Sequence, residues 1–396
     1  MNRSTGRDYL AIPGPSVVPD RVLRAMHQGA PDIYEGPLVD MVPGVIRDLK
    51  AIAGTRHHLA IYIANGHGAW EAALANVLAP GDGVLVAATG LFAHGWADIA
   101  RGLGAEVQML DFGRQAPVDP ARLQAALEAD RQHRIRAVMA VHVDTSTSLR
   151  SDIAALRGAI DAAKHPALLL VDCIASLGCE RFEMDAWGVD AMVAGSQKGL
   201  MTPPGLGFVF FGERAAQARR RAPVSRYWDW EPRVAPQMFY QFFGGTAPTH
   251  HLLGLRAALD MIGEEGLDRV LARHGRLARA YWAAVGAWGQ GGALALNVEE
   301  ERHRAHAVTT LRMGAPDATR LRRWVKENAG VTLGIGLGMA SADDPGADGF
   351  FRIGHMGHVN AHMVLGVIGA IETALTALQI AHGRGALEAA ADVLAA

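Results

Sequence analysis

Five short stretches of this 396-residue sequence carry groups that could do chemistry together. Asn65-Gly66-His67-Gly68 is a glycine-rich turn that runs into an apolar helical pattern, and Thr89-Gly90-Leu91-Phe92 supplies an aromatic ring. Asp144-Thr145-Ser146-Thr147-Ser148 is a hydroxyl cluster, Asp172 closes the apolar run Ala167–Val171, and Ser196-Gln197-Lys198 ends in an amine. A turn that opens a helix leaves unpaired N–H groups, a ready phosphate site. A lysine between Val193-Ala194-Gly195 and the apolar run that follows it has little polar sequence to solvate it, which lowers its pKa and suits attack on an aldehyde. A phosphorylated, electron-withdrawing ring cofactor would need this set.

Taken singly, each feature admits a plainer reading. Gly66-x-Gly68 could be only a tight turn, and it is not the G-x-G-x-x-G dinucleotide fingerprint. Gly334-x-Gly336-x-Gly338 misses that spacing too and reads as a loop. Asp172 could cap a helix, Lys198 could snorkel to the surface, Phe92 could be core and Ser146 a turn residue. Arg352 has apolar neighbours on both sides and needs an anion, either a substrate carboxylate or an internal acid. His355, His358 and His362 have the form H-x2-H-x3-H, but Gly354 and Gly357 point to a turn and no Cys or carboxylate stands near, so no metal is expected. There is no G-x-S-x-G elbow for hydrolysis.

The elements that must position these residues follow from periodicity. Apolar runs at Ala60–Ala64, Gly83–Ala88, Glu106–Leu110, Arg136–Val143, Ala167–Val171, Ala191–Ala194 and Gly207–Phe211 are predicted strands. Helical patterns at Ala69–Leu78, Ala93–Leu103, Pro120–Asp130 and Ile153–Lys164 separate them. Strands that are apolar almost throughout, alternating with helices, predict an α/β fold with a mainly parallel sheet covered on both faces. Ligands of such sheets bind at the carboxyl ends of the strands, where the five stretches fall. The texture changes after about Leu252: two long helices, Leu252–Gly263 and Leu267–Trp288, lead into an α+β pattern. The expected division is an extended N-terminal segment over 1–19, a large domain over 20–262 and a smaller C-terminal α+β domain over 263–396. The Ala11–Pro19 stretch, with three prolines, is expected to lie along a surface or a partner, and the Ala-rich C-terminus to fray.

Lys and Arg total 38 against 40 Asp and Glu, with the signs mixed, so nothing here is a footprint for nucleic acid or an anionic membrane. No run approaches a membrane span and the first residues lack a secretory pattern. Two cysteines exclude a disulfide framework, and a reducing cytoplasm is the expected compartment.

Six stretches together resemble the class V aminotransferases, pyridoxal-phosphate enzymes of fold type I, and within them the serine–glyoxylate and alanine–glyoxylate branch. They are Pro13–Met26, Asn65–Asp82, His165–Gly178, Gly195–Phe208, Tyr227–Glu231 and Phe351–Gly357, in the family's order and spanning nearly the whole chain. The Tyr-Trp-Asp-Trp-Glu stretch looks most like serine–glyoxylate aminotransferases. The resemblance implies that Lys198 carries the cofactor and moves the substrate's α-proton. It implies that Asp172 holds the pyridine nitrogen, Phe92 stacks on the ring and Ser146 lies near the cofactor's O3′. Asn65, Gly66, His67 and Gln197 would bind the phosphate, with Thr246 donated by a neighbouring subunit of a homodimer. Arg352 would grip the substrate α-carboxylate, with the backbone of Gly14 opposite.

Three departures from the family pattern bear on the substrate. Tyr34-Glu35-Gly36 stands where the branch commonly has His-Arg-Gly at the site mouth, and Glu35, if it points inward, should repel a second carboxylate. His142-Val143-Asp144-Thr145-Ser146-Thr147-Ser148 replaces the pattern HNETSTG. Phe243-Gly244-Gly245 stands before Thr246 in place of an aromatic hydroxyl, so that phosphate contact is lost or moves to Tyr240. The expected activity is a ping-pong transfer of an amino group from serine or alanine to glyoxylate or pyruvate. The rivals are a transaminase of the same class with another donor, a lyase of the same fold such as a cysteine desulfurase, and a non-catalytic dimer.

Overall fold

The computed structural model describes residues 6–219, 223–341 and 343–396. Its larger sheet has seven strands in the spatial order His58–Ala64, Gly205–Phe211, Ala191–Gly195, Leu168–Asp172, Ile135–Val141, Gly83–Ala88 and Glu106–Asp111. Gly205–Phe211 is antiparallel to both neighbours and every other pairing is parallel. Along Gly83–Ala88, Val84 and Val86 enter one apolar cluster and Leu85 and Ala87 the other. Both faces of the sheet are therefore buried, which is why these strands read as continuous apolar runs rather than alternating ones. Helices Gly66–Val77, Leu91–Gly102, Pro120–Ala129 and Ile153–Ala162 lie between the strands in sequence.

A second sheet of five strands runs in the order Tyr9–Ala11, Val331–Ile335, Phe350–Gly354, Val308–Arg312 and Ala295–Leu296. Its core includes the helices Leu267–Gly289, Asp317–Ala329, Ala361–Ala377 and Ala386–Ala395. Two expectations are sharpened here. The N-terminal segment is anchored as well as partly exposed: Tyr9–Ala11 is an edge strand paired in parallel with Val331–Leu333, and Ser16 bonds through its amide to the Gln197 carbonyl and through its hydroxyl to the Lys198 carbonyl, each at 2.8 Å. Proline stops a helix but leaves an edge strand open, and the chain uses that freedom to cross between the sheets. The Ala-rich C-terminus forms the helix Ala386–Ala395, with Ala386 and Ala390 fully buried, because small side chains let it pack close against Leu267–Gly289. Among the described residues, no helix is long and apolar enough to cross a membrane.

Three histidines sit buried where the two sheets meet. His274 donates from Nδ1 to the Val270 carbonyl at 2.7 Å and accepts the Gly357 amide at 3.0 Å. His355 meets the Thr309 hydroxyl at 2.9 Å, and His142 packs against Phe182 and Trp187. Burial pulls His142 and His274 down to about 4 and His355 to about 3. A histidine whose folded pKa is depressed contributes stability that is present above its unfolded pKa of ~6.5 and is lost as the pH falls below that value. The loss continues down to the folded pKa. His355→Gln is accordingly expected to cost less stability at pH 4.5 than at pH 7, the difference amounting to about 2–3 kcal/mol. Urea unfolding of both proteins at the two pH values checks this, and an equal cost at both would contradict it.

Candidate active site

The carboxyl ends of the seven-stranded sheet open on a cavity of about 230 Å³. Asn65, Gly66, His67, Phe92, Asp172, Gln197 and Lys198, seven of the residues picked out in the sequence, line it together. At one end, the Asn65 side chain caps the helix Gly66–Val77 by accepting the Gly68 amide at 3.2 Å. The Gly66 and His67 amides are first-turn groups outside the helix's own hydrogen-bond ladder. A Cβ built on Gly195 would lie 2.9 Å from Gln197 Oε1 and 3.8 Å from the Gly66 nitrogen, so the glutamine amide and the helix start share that end. Gln197 Oε1 is buried without a hydrogen-bond partner.

Asp172, also on the cavity lining, finishes the strand Leu168–Asp172 and is only 3 % exposed. Its Oδ1 accepts the Ile174 amide at 2.7 Å and its Oδ2 accepts Trp70 Nε1–H at 3.0 Å. Burial pushes the carboxyl up to about 7 despite both donors. A carboxylate held in this way is favoured by a cation, which is what a protonated ring nitrogen provides.

Lys198 is also buried, and its Nζ donates to the Pro13 carbonyl. Burial lowers the amine to about 8, with the Arg352 charge adding to the effect. Gly14 has φ +94°, and a Cβ there would fall 2.6 Å from Lys198 Cδ, so this position needs glycine both for its conformation and for the approach of the lysine. Arg352 lies outside this cavity, in an adjoining cleft that Gly14 also lines. Its Nε donates to the Ile335 carbonyl at 2.6 Å and its Nη1 to the Thr145 carbonyl at 2.7 Å, and among the described residues its Nη2 has no hydrogen-bond partner. Burial brings it down to about 10, still charged at neutral pH.

Other expected residues are placed elsewhere. Ser146 is not on the cavity wall: its hydroxyl donates to Asp144 at 2.5 Å and accepts the Leu91 amide at 3.0 Å, and its neighbour Thr145 lines the cavity instead. A buried carboxylate with no cation against it takes every donor in reach, and the turn supplies this hydroxyl. Tyr34 is 85 % exposed and Glu35 is exposed, on a turn held by the Tyr34 amide and Asp32, so neither points into the cavity of its own subunit. Thr246 is exposed and away from it as well. His355 is buried on Thr309, His362 bonds Asn360 at an exposed helix cap, and among the described residues no three metal-ligating side chains cluster. Cys173 and Cys179 are both buried with thiols raised, Cys179 to about 12, which disfavours thiolate chemistry at either.

Reading the sequence residue by residue missed Trp70, and named Asp144 only as part of the hydroxyl cluster. Trp70 lies one helical turn after His67, a spacing that could have put it on the same face. The role of Asp144 was not local: its carboxylate accepts the Phe92 amide, 52 residues away, together with the amide and hydroxyl of Ser146. A wider cleft of about 820 Å³ lies past Gly90 and Leu91, lined by His94, Asp111 and Arg312, and holds neither the amine nor Asp172.

Comparison with known proteins places this architecture. Residues 45–362 match the family described as aminotransferase class-V. The chain is 38 % identical to a serine–glyoxylate aminotransferase of Methylorubrum extorquens, over 94 % of this chain and 92 % of that one. It is 36 % identical to an L-aspartate–glyoxylate aminotransferase of Paracoccus denitrificans, over 98 % and 96 %. The crystal structure of a ureidoglycine–glyoxylate aminotransferase from Bacillus subtilis superposes with a TM-score of 0.86 at 27 % identity, covering 99 % of each chain. The cavity fits the phosphorylated pyridine aldehyde of that family, because an orphaned glutamine amide beside a helix start, a buried carboxylate and an amine all line it. The chain belongs to the class V aminotransferases, and its cofactor is pyridoxal 5′-phosphate.

Proposed function

We propose that this protein moves the amino group of a small L-amino acid, serine or alanine, to glyoxylate or pyruvate in a ping-pong cycle. The observation that carries the reading is the meeting of Lys198, Asp172 and the start of the Gly66–Val77 helix around one cavity, joined to the likeness to serine–glyoxylate aminotransferase. The bound cofactor supplies an aldehyde that combines with amines and a ring that accepts the electron pair left when the substrate's α-proton departs. Lys198 takes that proton on Nζ and returns it; an amine lowered to about 8 is neutral often enough at cellular pH to do so. Asp172 holds the ring nitrogen, kept in position by Trp70 and the Ile174 amide.

Phe92 covers one ring face and Asn65, Gly66, His67 and Gln197 hold the phosphate. Arg352 takes the α-carboxylate on its free Nη2 edge, with Gly14 opposite. Thr145 takes the place that Ser146 was expected to fill. We further propose that the working unit is a cytoplasmic homodimer in which exposed Thr246 completes the neighbouring subunit's phosphate site. The chain divides, on this reading, into the large domain 20–262 and the small domain 263–396, supported by the two separate sheets and their cores.

Lys198→Ala is expected to abolish multiple turnover in a screen of serine and alanine against glyoxylate and pyruvate, with the melting temperature little changed. Retention of full turnover would overturn the reading. Trp70→Phe removes a hydrogen bond to a charged group, an interaction of ~1.5–3 kcal/mol, so cofactor affinity is expected to fall about 10- to 100-fold in an absorbance titration of the apoprotein. Unchanged affinity would mean that Asp172 keeps its orientation without the indole.

A further inference from the structure

Gly14, which packs against Lys198, also lines a second cleft. Across Pro13 and Gly14, a cleft of about 420 Å³ is lined by Arg352 and by three more cations, Arg322, Arg323 and Lys326, from the helix Asp317–Ala329. No carboxylate side chain lines it. Among the described residues none of the four forms an ion pair. The whole chain carries a formal charge of −2, so four unpaired cations in one cleft are a local concentration and not a reflection of a basic protein.

Arg322 is the most confined of the three helix cations. Its Nε is buried with no hydrogen-bond partner, and its Nη2 only grazes the Thr319 hydroxyl at 3.5 Å. The acid that acts on it, Asp348, is engaged by the same hydroxyl at 2.6 Å and makes no ion pair with it. Burial and the charge of Arg323 both press the guanidinium toward its neutral form, and Arg322 in turn acts on Arg352. A desolvated donor without an acceptor, among like charges, gains from any anion that enters.

The two substrates of the proposed reaction differ in the property this field acts on. A 2-oxo acid such as glyoxylate carries one net negative charge, whereas serine and alanine are zwitterions with none. A low-dielectric cleft of one sign raises the local concentration of opposite ions and their rate of arrival. We propose that the Arg322–Arg323–Lys326 cleft is an anion-collecting vestibule that delivers the 2-oxo acid acceptor, in preference to the zwitterionic donor, to Arg352. This rests on the transaminase reading and goes beyond it in assigning the vestibule to one of the two half-reactions.

The test uses the cofactor-loaded enzyme and the triple variant Arg322→Gln, Arg323→Gln, Lys326→Gln, with each half-reaction followed in single turnover from about 20 to about 500 mM NaCl. In the unaltered enzyme the second-order constant for glyoxylate is expected to fall about 3- to 10-fold over that range, and the constant for serine or alanine less than twofold. In the variant the glyoxylate constant is expected to start lower by a similar factor and to lose most of its salt dependence. Equal salt slopes in the two half-reactions, or a slope that survives in the variant, would overturn the vestibule. A readout independent of turnover is the 19F line width of trifluoroacetate, a monovalent carboxylate, which the unaltered enzyme should broaden at low salt more than the variant does. If neither half-reaction proceeds with any donor, the transaminase reading fails. The trifluoroacetate comparison then still decides the vestibule: unequal broadening upholds anion capture and equal broadening rejects it.

Discussion

The site depends on keeping one amine and one carboxylate out of water without letting them neutralise each other. Lys198 and Asp172 both lose solvation, which drives the amine down and the acid up, toward the forms that carry no charge. Each is then held by backbone and indole groups rather than by the other: Lys198 by the Pro13 carbonyl, Asp172 by the Ile174 amide and Trp70. A direct ion pair would leave neither group available. Lining one cavity without an ion pair between them, the carboxylate is able to stabilise a ring cation and the amine to act as nucleophile and base.

The rest of the fold supports that separation. Parallel strands bring their carboxyl ends to one edge, so residues scattered from Asn65 to Lys198 meet there with no long excursion of the chain. Both sheet faces are packed with apolar side chains, which gives the strand ends little freedom to move. The N-terminal strand, paired in the second sheet, carries Pro13 and Gly14 across to Lys198 and so couples the two sheets at the reactive amine. Arg352 belongs to the second sheet and yet donates to Thr145 beside the first, a second such tie. Relative motion of the sheets would therefore alter Lys198 and Arg352 together.

The electrostatics of the substrate side are distinct from those of the cofactor side. Glu35, whose charge could have opposed acidic substrates, is turned to solvent within its own subunit. Among the described residues, every charged side chain lining the cleft next to Gly14 is a cation. A residue read as a barrier is thus turned away from the subunit's own cavity, and the cations beside Arg352 come from a helix whose sequence, Arg322-Arg323-Trp324-Val325-Lys326, reads as an ordinary solvated amphipathic face.

By itself the sequence determined the strand and helix alternation, the parallel sheet and most of the residues that line the cavity. Those depend on local signals: apolar runs of strand length, a cap-and-glycine turn before a helix, and a charged residue stranded at the end of a buried strand. Tertiary structure decided whatever depends on which distant groups share a space. It turned the Ser146 hydroxyl to Asp144 and set Thr145 on the wall, laid the proline-rich N-terminus between two sheets, and set Trp70 against Asp172 across 102 residues. It also brought a helix of the second sheet's layer to the same cleft as Arg352. Backbone pattern is a property of neighbouring residues, whereas a hydrogen bond or a shared field depends on distances that only the packed chain defines.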